Sequence, residues 1–298
     1  MKYILRLLVV VISCFAGASF GQDASELAAG RGELIIKEFA SAPFPHPLRA
    51  NGHKYGDTMF SAAEHYNDSH VGIFIPKGFK VGSKIDFVVH FHGWRHNVTN
   101  TFEHYKLIQQ FVDSKRNAIL IVPQGPFDAP DSFDGKLEDP NGFHRFMDEA
   151  METLRKKDGF HDAKIGDILL SGHSGGYQVI SSIVAVGGLT DHVKEVWLFD
   201  ALYARTEKYM AWFDHSKGRF LDIYTEHGGT KGETEALMKQ EKEKSAPFFA
   251  GKEAEATAAV LSKNRMVFMF SDLPHDEVMQ AHSMFQKFLE TSCLKPIP

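Results

Sequence analysis

Asp167-Ile168-Leu169-Leu170-Ser171-Gly172-His173-Ser174-Gly175-Gly176-Tyr177-Gln178-Val179-Ile180 is the stretch on which the fold reading turns. Asp167–Ser171 is a short apolar run that ends at glycine, the pattern of a buried strand. Gly176–Val186 has the spacing of a helix. Between them lies Gly172-His173-Ser174-Gly175-Gly176, a Gly-x-Ser-x-Gly turn. A turn this tight explains its glycines. Side chains two positions on either side of the serine would collide with the neighbouring strand and helix. The serine is forced into a strained conformation with its hydroxyl above the sheet, and the adjacent helix N-terminus favours developing negative charge.

Working outward, further apolar runs read as strands: 32–39, 71–76, 85–92, 118–123, 193–200, 220–225 and 265–271. From Ile85 onward they alternate with helical patterns, clearest at 101–114, 142–157, 176–186 and 277–291. In the last of these, Val278, Met279, His282, Phe285, Phe288 and Leu289 suit one helical face. Strands rich in Val, Ile and Leu that alternate with helices predict an α/β fold. Its central sheet is mostly parallel, with helices on both faces. The earliest strands lack intervening helices and are expected to begin the sheet as an antiparallel pair. The Lys/Glu-rich stretch 231–244 reads as the exposed face of a helix.

The serine turn, His92-Gly93-Trp94, Asp200 and His275, with their order, resemble the α/β-hydrolase superfamily over roughly residues 71–291. The resemblance implies a nucleophile, an acid and a histidine in that chain order. Ser174 then is the nucleophile. The acid belongs at a strand end after it, and Asp200 and Glu226 both qualify. The base belongs between the last strand and the last helix, where His275 stands; His227 lies one strand early and His282 inside the helix. The oxyanion hole is expected from the backbone N–H of Gly175 and of Trp94, because Gly93 lets the chain turn there. The activity implied is serine ester hydrolysis. A peptidase or amidase of the same fold shares the triad, and a non-catalytic binding protein shares the fold.

Composition sets the outer limits. The chain has 298 residues, 43% hydrophobic and 24% charged, with a formal net charge of −5. These are values of an ordinary globular protein and lack the basic footprint of a nucleic-acid binder. Met1–Arg6 is basic, Leu7–Ile12 apolar and Phe15–Gly21 small and apolar, the pattern of a secretory signal over residues 1–21. Residues 22–298 then form a single domain, exported to the periplasm or secreted, without a stable membrane span. Cleavage fits after Ala18 or Gly21. Val11-Ile12-Ser13-Cys14 loosely matches a lipobox, so lipid anchoring at Cys14 is the rival reading. Cleavage leaves Cys293 alone and no internal disulfide.

Several signals are weaker. His90, His92 and His96 lie close in sequence, but the downstream Asp/His pattern of metallohydrolases is missing. No metal and no cofactor are expected. Asp128, Asp131, Asp134, Glu138 and Asp139 lack calcium-loop spacing and read as a solvated loop near the site mouth. Asn67-Asp68-Ser69 and Asn97-Val98-Thr99 match the glycosylation triplet. Residues 43–66 and 124–139 are expected to shape a pocket for a small-molecule or polymer-derived ester.

Overall fold

A computed structural model describes residues 26–298. The expected signal over 1–21, its cleavage points and Cys14 lie outside the described residues. The strands are β1 Gly32–Glu38, β2 His53–Tyr55, β3 Thr58–Phe60, β4 His70–Pro76, β5 Lys84–Phe91, β6 Ile119–Pro123, β7 Lys164–His173, β8 Val193–Phe199, β9 Arg219–Thr225, β10 Phe249–Lys252 and β11 Met266–Ser271. Nine of them form one sheet in the order β1-β4-β6-β5-β7-β8-β9-β11-β10, while β2 and β3 make a separate hairpin. β1 pairs antiparallel with β4, and β4 antiparallel with β6. Every later pairing is parallel.

The helices are α1 Ala62–His65, α2 Val98–His104, α3 Leu107–Asp113, α4 Gly142–Arg155, α5 Tyr177–Val186, α6 Thr206–His215, α7 Lys231–Glu243, α8 Ala258–Lys263 and α9 Met284–Glu290. Two buried layers flank the sheet. One takes Phe87, Val89 and Phe91 of β5 against α4, α5 and α6. The other takes Val88 against α2, α3, α8 and α9. This period-two alternation is why the strands are apolar on both faces.

Three expectations are corrected. The helix expected over 101–114 is two helices, because Lys106 adopts a left-handed conformation (φ 50°) and breaks the ladder. The helix expected over 277–291 shortens to Met284–Glu290, with left-handed Ser283 (φ 54°) before it. Val278 and Met279 are nevertheless buried, whereas His282 points outward. The acidic loop is largely folded inward, with only Asp128 exposed among its five acids. Asp134 is buried, Asp131 pairs with Arg49, and Glu138 accepts hydrogen bonds from Gln178 and from the Asp134 amide. Burial pushes the Asp134 carboxyl well above its usual range. Among the described residues no helix is long and apolar enough to cross a membrane.

Candidate active site

The parallel strands bring their C-terminal ends to one edge, where open α/β sheets bind ligands. Gly93 follows β5, Ser174 follows β7, Asp200 follows β8, Glu226 follows β9 and His275 follows β11.

Ser174 sits at φ 52°. A left-handed non-glycine residue costs on the order of 1–3 kcal/mol, which the surrounding packing must hold in place. The flanking glycines are required by contact. A Cβ on Gly172 would lie 2.7 Å from the Ile180 side chain of α5, and one on Gly176 2.6 Å from the Phe91 carbonyl of β5. A Cβ on Gly93 would lie 2.6 Å from Ser174 Cβ, so the His92-Gly93-Trp94 turn packs directly on the serine. Tyr203 donates to the Gly228 carbonyl (2.7 Å) and also faces Ser174; burial pushes its hydroxyl up to about 12.

Asp200 is fully buried, and His275 Nδ1–H donates to its Oδ2 at 2.7 Å. Oδ2 also accepts from Thr225 Oγ1 (2.7 Å) and Oδ1 from the Thr225 amide (3.2 Å). Thr230 Oγ1 donates to Oδ1 as well. Burial works to raise this carboxyl, but the hydrogen bonds from His275, Thr225 and Thr230 outweigh it and hold the value below the ordinary carboxylate range. A Cβ on Gly228 would strike the Asp200 carboxylate at 1.7 Å, so only glycine admits it there. Glu226 is elsewhere: it pairs with Lys231 Nζ at 2.6 Å. His282 Nδ1–H donates to Glu253 (2.7 Å) rather than to either candidate acid.

His173 stands inside the motif and packs its ring against that of His275, with centroids 4.5 Å apart. Its Nε2–H donates to the His275 carbonyl (3.0 Å), and its Nδ1 accepts from the Tyr105 hydroxyl (2.8 Å). The Tyr105 oxygen in turn accepts from His96 Nε2–H (3.0 Å). Burial pushes His173 well below the ordinary histidine value, which keeps it neutral and able to both donate and accept. His104 Nε2–H donates to the Asp276 carbonyl at 3.2 Å. Two imidazoles thus grip the loop that carries His275. Periodicity offers no view of this grip, because it joins α2, β7 and the β11 loop.

The histidines of β5 are structural. His92 Nδ1–H donates to the Gly93 carbonyl (2.8 Å), and its Nε2 accepts from the Gly125 amide (3.0 Å). His90 Nδ1 meets Ser171 Oγ at 2.9 Å. Burial pushes His90 down to about 3 and His92 to about 4, so both are neutral. Among the described residues one group offers three possible metal-ligand atoms within 4.8 Å: His173, His275 and Asp276. Both His173 nitrogens are engaged, with Tyr105 and the His275 carbonyl, and His275 Nδ1 is engaged with Asp200.

Residues 43–66 and 124–139 pack together beside the elbow. Arg49 forms a two-pronged pair with Asp131 (2.6 and 3.1 Å), and its guanidinium lies 4.7 Å over the Phe133 ring. Ser132 Oγ would be 3.2 Å from a Cβ on Gly175. This loop therefore walls the elbow at Gly175. Asn97, in one of the two glycosylation triplets, caps α2 by accepting from the Asn100 amide.

No family model matches the chain, and no curated protein matches it by sequence. Solved structures do. The feruloyl esterase module from Clostridium thermocellum complexed with sinapinate aligns over 88% of each chain at 10% identity, with a TM-score of 0.55. A ferulic acid esterase aligns at 11% identity over 87% of this chain and 97% of its own, also with a TM-score of 0.55. FphF, a fluorophosphonate-binding serine hydrolase from Staphylococcus aureus, aligns at 9% identity over 88% of this chain and 100% of its own, with a TM-score of 0.53. The chain has the α/β-hydrolase fold, shared with these serine esterases and hydrolases.

Proposed function

We propose that this chain is an exported serine hydrolase that cleaves carboxylic esters through an acyl-enzyme on Ser174. The observation that carries the reading is the 2.7 Å hydrogen bond from His275 to a buried, fully donor-wrapped Asp200. Asp200 fixes the His275 tautomer with the proton on Nδ1, which leaves Nε2 as the base. His275 takes the Ser174 proton as the hydroxyl attacks the ester carbonyl. The carbonyl oxygen becomes an oxyanion held by the Gly175 and Trp94 amides, and the imidazolium returns the proton to the leaving alcohol. Water, activated by the same imidazole, then releases the acid and frees Ser174. The left-handed serine and the close approach of Gly93 support this geometry. The esterase names among the structural neighbours agree with it.

Hydrolysis of p-nitrophenyl butyrate tests the reading. Wild-type protein is expected to turn it over, and Ser174→Ala to lose at least about 10³-fold of that rate. Equal slow rates in both proteins would favour a binding protein on this fold. Export rests on residues 1–21 alone, and the intact mass of protein recovered from its host tests it. Loss of 18 or 21 residues supports cleavage, whereas a lipid adduct on Cys14 supports anchoring.

A further inference from the structure

Trp94 and Arg95 stand out beside the elbow. The chain has three tryptophans. Trp197 and Trp212 are buried at 0% and 4% exposure, whereas Trp94 is 42% exposed. The Arg95 guanidinium lies 4.7 Å from the Trp94 ring centroid. Arg95 holds a left-handed backbone (φ 68°), an uncommon state for a side-chain-bearing residue. Among the described residues its guanidinium makes no hydrogen bond or ion pair. Arg49, in the wall beside the elbow, is by contrast tied to Asp131.

Gly93 packs on Ser174, and each Cα step is about 3.8 Å. Arg95 therefore begins two steps from the glycine that packs on the nucleophile, about 8 Å along the chain, a distance its long side chain can span toward an ester bound to Ser174. Stacking on indole holds the guanidinium plane in one orientation, so less freedom is lost when it meets a planar partner. One unpaired planar fork matches one planar carboxylate, in two parallel charge-assisted hydrogen bonds. A dianionic phosphate would call for more than one cation.

We propose that Trp94 and Arg95 form a recognition platform for an ester that carries a free carboxylate beside the scissile bond. The proposal rests on the ester-hydrolase reading above and deepens it. It assigns the carboxylate to the Arg95 fork and the adjoining apolar part of the substrate to the indole face. Asp276, in the cluster with His173 and His275, is the anion that a bound carboxylate would have to avoid. Arg205, exposed and on the Tyr203 side of the elbow, is the competing cation.

The experiment compares kcat/KM for two pairs of esters: 4-acetoxybenzoate against its methyl ester, and mono-p-nitrophenyl glutarate against its methyl ester. The pairs place the carboxylate on the alcohol and acyl sides respectively. The acid form is expected to be preferred in at least one pair. That preference should fall about tenfold in Arg95→Gln, the loss of one charge-assisted interaction. It should invert in Arg95→Glu and weaken with added salt, as an exposed cation requires. Lys263→Gln, on α8 before the opposite end of β11, controls for net charge. Neutral-ester preference in wild type, or a fall in Arg205→Gln with none in Arg95→Gln, would overturn the proposal.

Binding is read separately, by tryptophan fluorescence of Ser174→Ala protein titrated with 4-acetoxybenzoate. Quenching that Arg95→Gln weakens supports the platform even if turnover fails. Turnover of neutral esters, with neither acid preference nor quenching, would sink the platform and leave the hydrolase reading standing.

Discussion

Asp200 and Asp222 lie on the ends and middles of neighbouring strands, and neither has any exposed surface. They nevertheless sit on opposite sides of neutrality. Asp200 receives donors from His275, from the Thr225 amide and hydroxyl, and from Thr230, and its carboxyl is held low despite burial. Asp222 receives Thr234 Oγ1 on Oδ2 (2.7 Å), while its Oδ1 has no hydrogen-bond partner among the described residues. Burial, with the Asp200 charge adding to it, pushes Asp222 up to about 8. Burial alone therefore does not make a charged acid. A strand end opens onto loop donors, and a strand interior offers only packed neighbours.

The largest expected effect comes from breaking the charged member. Asp200→Asn forces the wrong His275 tautomer, and kcat/KM should fall about 10³- to 10⁴-fold with the circular dichroism spectrum unchanged. Thr230→Val removes one donor and sharpens the comparison. The native Asp200 value should then climb toward the ordinary carboxylate range. The acid limb of the kcat/KM–pH profile should move to higher pH, with about a tenfold loss near pH 3 and none at pH 6. Tyr105→Phe leaves His173 Nδ1 without its donor and loosens the grip on the His275 loop. It should lower kcat about three- to tenfold, the scale of one lost hydrogen bond, with KM little changed.

Asp222→Asn should affect activity least, under about twofold, but it should change how stability depends on pH. The folded value of Asp222 is raised above the unfolded one, so its stabilising contribution is full below about pH 4. It is lost as pH rises through about 8. The amide escapes that loss. Its gain in Tm should therefore grow from pH 5 to pH 9 and reach roughly 5 °C at the upper end, as read by thermal melts.

The same contrast explains what was legible in the sequence. β7, the elbow and α5 follow from local rules: an apolar run, two glycines with no room for a Cβ, and a helical spacing. The parallel sheet followed from alternation, and the positions of Ser174, Asp200 and His275 from strand ends. What escaped depends on partners distant in sequence. Thr225, at the end of β9, and Thr230, just before α7, carry no distinctive signal until the chain folds them around Asp200. The pairing of Glu226 with Lys231 is local, five residues apart, but a side-chain contact across a loop leaves no periodic signal. His173, Tyr105 and His96 form a line only across three elements. β10 is short and lies at the sheet edge, and its Phe249-Ala250-Gly251-Lys252 carries little apolar signal. The acidic loop looked solvated because composition does not reveal that Arg49, Gln178 and Ser182 close over it.

The most direct test of the central claim is fluorophosphonate labelling followed by peptide mapping, on wild type, Ser174→Ala and His275→Ala. The account predicts one adduct on the peptide containing Ser174 in wild type. It predicts no adduct in Ser174→Ala and labelling slowed at least about 10³-fold in His275→Ala. An adduct on another residue, or equal labelling of all three folded proteins, would contradict it.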